Sequence, residues 1–182
     1  MITTPPKYCP FYCEENIWHL AQAPEFAGVE TLVALVSNPG HTCLFWDQRV
    51  CQAKDEPVLW DYHVVLLARR PEWVVYDLDT QLPFPINADT YLAHTFRGEG
   101  VIPPAYEPRF VLFEGADYVN TFASDRSHML DKDGQWLAPP PKWPPVHADQ
   151  GEGFLDLLTG HFDSDAPLSL AALRDRLRLS EG

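Results

Sequence analysis

Apolar residues along this chain fall into two kinds of run. One kind is dense and rich in β-branched and aromatic residues. The run from 58 to 67 carries Trp60, Val64, Val65, Leu66 and Leu67, and the run from 73 to 78 carries Trp73, Val74, Val75 and Tyr76. Short runs of this kind predict strands. Between them, Ala68-Arg69-Arg70-Pro71-Glu72 is polar and holds a proline, which predicts the turn of an antiparallel hairpin. A turn centred on Arg70 sets His63 opposite Asp77 on one side of the sheet, with Cβ atoms roughly 4.5–5.5 Å apart. One residue of slip would send Asp77 to the other face. Further strands are predicted over 42–46 and 109–113, and residues 30–36 fit either a strand or the end of a helix.

The second kind of run has helical spacing. Cys13, Ile17, Leu20 and Ala21 share a face of a helix predicted over 13–23, with Glu14 and Glu15 in its first turn and Pro24 as its stop. Residues 87–95 predict a short helix with Asn87 as its cap, and 117–123 a helical turn. Leu170, Leu173 and Leu177 form the stripe of a helix over 169–179, capped by Ser169. A short apolar piece, FLDLL, lies within 149–164. Ser37-Asn38-Pro39-Gly40 and residues 131–134 predict turns, and Leu82-Pro83-Phe84-Pro85 leaves the sheet. The proline run 139–145 favours polyproline II and a path over the surface. No repeat and no linker separates two cores, so one domain over 1–182 is expected.

Composition narrows the setting. With 182 residues, 46% hydrophobic and 13% aromatic, a globular fold is expected. No apolar run approaches the roughly 20 residues of a membrane span. The start, MITTPPKYCPFYC, has no apolar core of a signal peptide, so a cytoplasmic, non-membrane protein is expected. A formal net charge of −13 disfavours nucleic acid and suits solubility or a cationic partner. Nothing calls for a partner helix face, so a monomer is expected. Cys9, Cys13, Cys43 and Cys51 show C-x3-C and C-x7-C spacing. Neither is the C-x2-C knuckle of common zinc sites, and no secretory signal argues for disulfides.

The helix start and the hairpin together suggest chemistry. A cysteine at a helix N-terminus has free backbone N–H groups beside it, which favour the thiolate, while Glu14 and Glu15 oppose it. An imidazole takes and returns its proton, and a carboxylate fixes the imidazole's tautomer. Cys13, His63 and Asp77 supply these roles in chain order, with the Cys13 N–H as an oxyanion donor. Cys9 competes as nucleophile, and His19 and His41 as bases. His63, Asp77 and Asp79 also fit ordinary strand residues.

The words YCEENIW, WDYHVVLL, YDLDTQLPFP and FASDRSHM, at 12–18, 60–67, 76–85 and 122–129, closely resemble the protein N-terminal glutamine amidohydrolase family. The resemblance runs from about Tyr12 to the proline run. It implies an α+β fold: an α-β-α three-layer sandwich with a largely antiparallel central sheet, similar to papain-like and transglutaminase-like enzymes. It also implies Cys13 as nucleophile, His63 as base and Asp77 as orienter, with no cofactor and no metal. The implied reaction removes ammonia from the side chain of an N-terminal glutamine, on protein or peptide substrates. Reading the free α-ammonium needs a carboxylate or backbone carbonyls, for which Glu14, Glu15, Asp61 and Asp125 are candidates. The SDRSH cluster lines the site or simply forms a surface turn, and the proline run forms a wall of the entrance or a structural wrap. Tyr62, by strand alternation, points away from His63. A cysteine peptidase or acyltransferase, and a non-catalytic binding module, are the alternative functions.

Overall fold

The computed structural model describes residues 5–53, 55–98, 101–147, 160, 162 and 167–178. The FLDLL piece and the end of the last predicted helix lie outside these residues. Seven strands occur among them: β1 (Thr31–Ser37), β2 (Cys43–Phe45), β3 (Val58–Trp60), β4 (His63–Arg70), β5 (Glu72–Tyr76), β6 (Ile86–Asn87) and β7 (Arg109–Glu114). The helices are α1 (Cys13–Ala21), α2 (Ala88–Thr95), α3 (Gly115–Thr121) and α4 (Leu170–Leu177). Five strands form one sheet in the order β6-β5-β4-β1-β7, every pairing antiparallel. β2 and β3 form a separate two-stranded sheet.

Both faces of the large sheet are covered, which explains the apolar density of its central strands. Val33, Leu35, Val64, Leu66 and Ala68 face Ile17 and Leu20 of α1 and Tyr118 of α3. Leu32, Ala34, Val36, Val65 and Leu67 face Tyr91 and Leu92 of α2 and Leu170, Leu173 and Leu177 of α4. The architecture is an α+β sandwich of three layers. The run read as 30–36 is thus a buried strand, β1, over Thr31–Ser37. The predicted caps form: Asn87 accepts from the Asp89 and Thr90 N–H groups, and Ser169 from that of Ala172. Among the described residues no helix is long and apolar enough to cross a membrane.

The hairpin departs from its predicted geometry in two ways. First, it turns on Pro71 rather than Arg70: Arg70 pairs Glu72, and Leu66 pairs Tyr76. Arg69 and Arg70 stay in the strand because each has partners there. The Arg69 N–H bonds the Glu30 carbonyl, and the Arg70 guanidinium donates to the Glu25 carbonyl at 2.6 Å, over the Phe26 ring. Second, the run 58–67 is two strands, not one. Asp61 breaks it: its carboxylate accepts its neighbour's N–H at 2.9 Å, and its carbonyl accepts the Ser37 hydroxyl at 2.6 Å. β3 then peels away to pair with β2.

Candidate active site

The new register moves the position facing His63 by two residues. A two-residue shift preserves the face, so Asp77 remains on the side of His63 as a diagonal neighbour. The side chains meet: His63 Nε2 and Asp77 Oδ1 are 2.9 Å apart, both buried. Three further donors hold Asp77. Its Oδ1 accepts the Asp79 N–H at 2.9 Å, and its Oδ2 accepts Gln48 Nε2 at 3.0 Å and the Tyr91 hydroxyl at 2.8 Å. Burial alone would raise the carboxyl's pKa, but His63 and these donors hold it below the usual range. Burial alone would lower the His63 pKa, but the Asp77 charge and hydrogen bond carry it upward. With Nε2 committed to Asp77, Nδ1 is the nitrogen left for a reacting group. Phe45 meets the ring edge-on and Trp60 stacks parallel to it at 6.2 Å.

α1 begins at Cys13 for a local reason. Asn16 reaches back, its Oδ1 accepting the Cys9 N–H and its Nδ2 donating to the Cys9 carbonyl, each at 2.8 Å. This clamp folds the 9–12 loop, with Phe11 at φ 68°, over the helix start. The first turn is then wholly buried, glutamates included. Cys13 Sγ lies 3.5 Å from Glu14 Oε2, which also accepts the Tyr62 hydroxyl at 3.2 Å. Burial and the Glu14 charge push the thiol well above the ordinary cysteine range. The predicted thiolate preference of the helix start is therefore outweighed by desolvation and by the acid beside it.

Cys13 and His63 line one cavity of about 250 Å³, together with Phe11, Trp60, Asp61, Tyr62, Asp79, His128, Met129, Leu137 and Ala138. That is small beside the roughly 300–1,000 Å³ of drug-sized sites, and suits one side chain. Of the acids named for the substrate amine, Asp61 lines this cavity, exposed at its mouth. Glu14 is not among the lining residues, although it touches the Cys13 sulfur. Asp125 turns to the Ser127 N–H at 2.8 Å. Glu15 is fully buried and paired with Arg126 through two contacts of 2.7 Å, with Trp143 Nε1 at 2.6 Å. The same pair fixes the SDRSH cluster and the proline run against α1, so Arg126 meets a buried acid rather than a surface one.

Three participants escaped the sequence reading. Tyr62 is not in a strand, so alternation does not govern it; the Asp61 break aims it into the cavity. His128 bonds the Tyr62 hydroxyl at 3.2 Å and lines the wall. Asp79 lines it as well, and extending the observed register would set position 79 across from His63. Cys9, His19 and His41 are not among the lining residues, and all four cysteines are free. His63, Asp77 and Asp79 could present one ligand atom each to a metal, all within 4.8 Å of one another. Asp77 would have to surrender donors that already fill both of its oxygens.

A thiol and an imidazole that share a cavity, with a carboxylate bonded to one ring nitrogen, are the equipment of cysteine-dependent acyl transfer. The site thus carries the groups that cysteine hydrolases use. A family profile described as N-terminal glutamine amidase matches residues 8–165, and the chain belongs to that family. It is 39% identical over 155 residues to a protein N-terminal glutamine amidohydrolase of Danio rerio, covering 82% of this chain and 76% of that one. The Homo sapiens protein of the same name is 39% identical over 151 residues, covering 78% and 73%. That of Drosophila mojavensis is 38% identical over 147 residues, covering 77% and 71%.

Proposed function

We propose that this chain hydrolyses the side-chain amide of an N-terminal glutamine in proteins or peptides, releasing ammonia and leaving N-terminal glutamate. Cys13 is the nucleophile, His63 the base and Asp77 its orienter. The observation that carries this reading is the buried His63–Asp77 hydrogen bond on the cavity that Cys13 lines, in a chain of this family.

The steps follow from the environment of each group. The Cys13 thiol rests protonated, so its proton passes to His63 Nδ1 as the sulfur attacks the γ-carboxamide carbon. The oxyanion is met by the Cys13 N–H, free at the first helical position. Asp77 steadies the imidazolium, which hands its proton to the departing ammonia. Water then enters, His63 takes its proton, and the thioester is cleaved to glutamate and thiol. Thiol, imidazole and water suffice, so the route needs no cofactor. The chain is expected to act as a cytoplasmic monomer, without nucleic acid or membrane.

Mass spectrometry tests the reading. Peptides with glutamine first, asparagine first, and glutamine internal are incubated with wild type and with Cys13→Ala. Only the first should gain the mass of a deamidation, and only with wild type. Peptide-bond cleavage would instead favour a peptidase, and equal conversion of internal glutamine a general deamidase.

A further inference from the structure

We propose that Asp79 is the residue that selects for a free N-terminus, its carboxylate receiving the substrate's α-ammonium. This deepens the deamidase reading and rests on it. A glutamine's α-nitrogen is four bonds from its carboxamide carbon, at most about 5 Å away. With that carbon at Cys13, the ammonium must sit inside the same small cavity. Two carboxylates line it, Asp61 and Asp79. Asp61 is exposed at the mouth, and its Oδ1 is engaged by the Tyr62 N–H. Asp79 is only 6% exposed. Water screens a charge at the first position far more than at the second, so a cation is gripped harder by Asp79.

Asp79 is also held ready. Its N–H is tied to Asp77, its carbonyl to the Arg49 N–H, and its Oδ1 accepts the Tyr8 hydroxyl at 2.5 Å. Among the described residues no lysine or arginine forms an ion pair with it. Burial raises the Asp79 pKa, the His63 and Arg49 charges offset part of that rise, and a bound ammonium would offset more of it. The charge of Asp79 is also felt at the Cys13 thiol, where it opposes ionisation. An ammonium on Asp79 would weaken that opposition, so the correct substrate would assist its own attack.

The test separates binding from chemistry. Cys13→Ala protein is titrated calorimetrically with three peptides that share one sequence: a free N-terminal glutamine, its Nα-acetyl form, and its desamino form. The free amine should bind roughly 10- to 100-fold more tightly than the other two, in line with one charge-assisted bond. Adding Asp79→Asn should erase that ratio and leave the acetyl and desamino affinities in place, while Asp61→Asn should preserve it. In the Cys13-intact enzyme, Asp79→Asn should raise KM for the free peptide more than it lowers kcat. Should Asp79→Asn fail to fold, Asp79→Glu, which moves the charge by one methylene, should show a smaller loss of the same ratio. A ratio unchanged in both Asp79 variants, or one erased by Asp61→Asn, overturns the assignment. So does a loss confined to kcat, which would mean that Asp79 acts only through His63. Wild type that binds the peptides but fails to deamidate the free one would instead overturn the function beneath it.

Discussion

The two walls that meet at the cavity solve the problem of buried charge in opposite ways. On the hairpin wall, Asp77 has three donors and an imidazole against it, so its charge is stabilised and it stays ionised. On the helix wall, Glu14 meets a thiol and one tyrosine hydroxyl. Burial pushes that carboxyl up to about 7, and the neighbouring Glu15 charge adds to the rise. Sequence distance does not separate these environments: Glu14 and Glu15 are adjacent, yet Glu15 has a bidentate arginine and an indole N–H. The number and charge of donors decides which acid can stay ionised. One wall therefore holds a fixed charge against His63, and the other an acid that titrates beside the Cys13 thiol.

The largest effect should follow from weakening the fixed charge. Asp77→Asn keeps the shape but offers His63 an amide, which stabilises no imidazolium and permits the wrong tautomer. A fall in kcat on the order of 10⁴-fold is expected, as for the aspartate of a serine-protease triad. Steady-state ammonia release measures it. A loss under tenfold would mean that the amide, held by Gln48 and Tyr91, orients the ring without a charge.

Next comes the other well-satisfied acid. Arg126→Met leaves Glu15 buried with only the indole as donor. Breaking a buried pair from one side costs about 3–5 kcal/mol. Urea unfolding should show that loss, and the wall formed by Leu137 and Ala138 should loosen with it, because Arg126 also donates to the Trp143 carbonyl at 3.1 Å. Unchanged stability would mean that water replaces the guanidinium and that this wall is less dry than its burial suggests.

Glu14→Gln probes the titrating acid directly. The folded state holds the Glu14 proton more tightly than the unfolded chain, whose value is near 4.5. Stability gained from that proton is complete below the unfolded value and is lost as pH rises through about 7. Wild type should therefore lose stability between pH 5 and 8, and the variant should lose less. The thiol should respond as well: without the carboxylate, Cys13 should be alkylated by iodoacetamide at lower pH, as followed by peptide mapping. An alkylation profile identical to wild type would assign the thiol's resistance to burial alone.

What the sequence disclosed tracks how local each feature is. The Asn87 and Ser169 caps act within three residues of themselves and are plain in the chain. The shared face of His63 and Asp77 was legible because a hairpin is local and a shift of two residues preserves face. The partner across the ladder was not, because Pro71 rather than Arg70 is the pivot, and nothing in the five residues 68–72 marks which one turns. The same misplacement hid Asp79. Tyr62 was assigned to the wrong side because alternation presumes an unbroken strand, and the break depends on Ser37 reaching the Asp61 carbonyl from another strand. Glu15, Arg126 and Trp143 come together across more than half of the chain, through packing that no spacing encodes.

The smallest effect, and the finest test of the contrast, is Tyr62→Phe. Its hydroxyl gives Glu14 a donor that favours the charged form, and on its other side it meets His128 Nε2 at 3.2 Å. His128 Nδ1 faces the Asp125 carbonyl at 2.7 Å, which requires a proton there and leaves Nε2 of the neutral ring as an acceptor. The tyrosine proton thus has two claimants, and it turns to Glu14 when that acid is ionised. Without the hydroxyl, Glu14 should keep its own proton to higher pH. Stability should fall by about 1.5–3 kcal/mol at pH 8, where the lost bond is to a charge, and by about 1 kcal/mol at pH 5. The pH at which Glu14 ionises, read from its carboxyl stretch by infrared difference spectroscopy, should move upward. A downward move would show that the hydroxyl had been serving the protonated acid, and that the helix wall is wired for the neutral form of Glu14 rather than for its charge.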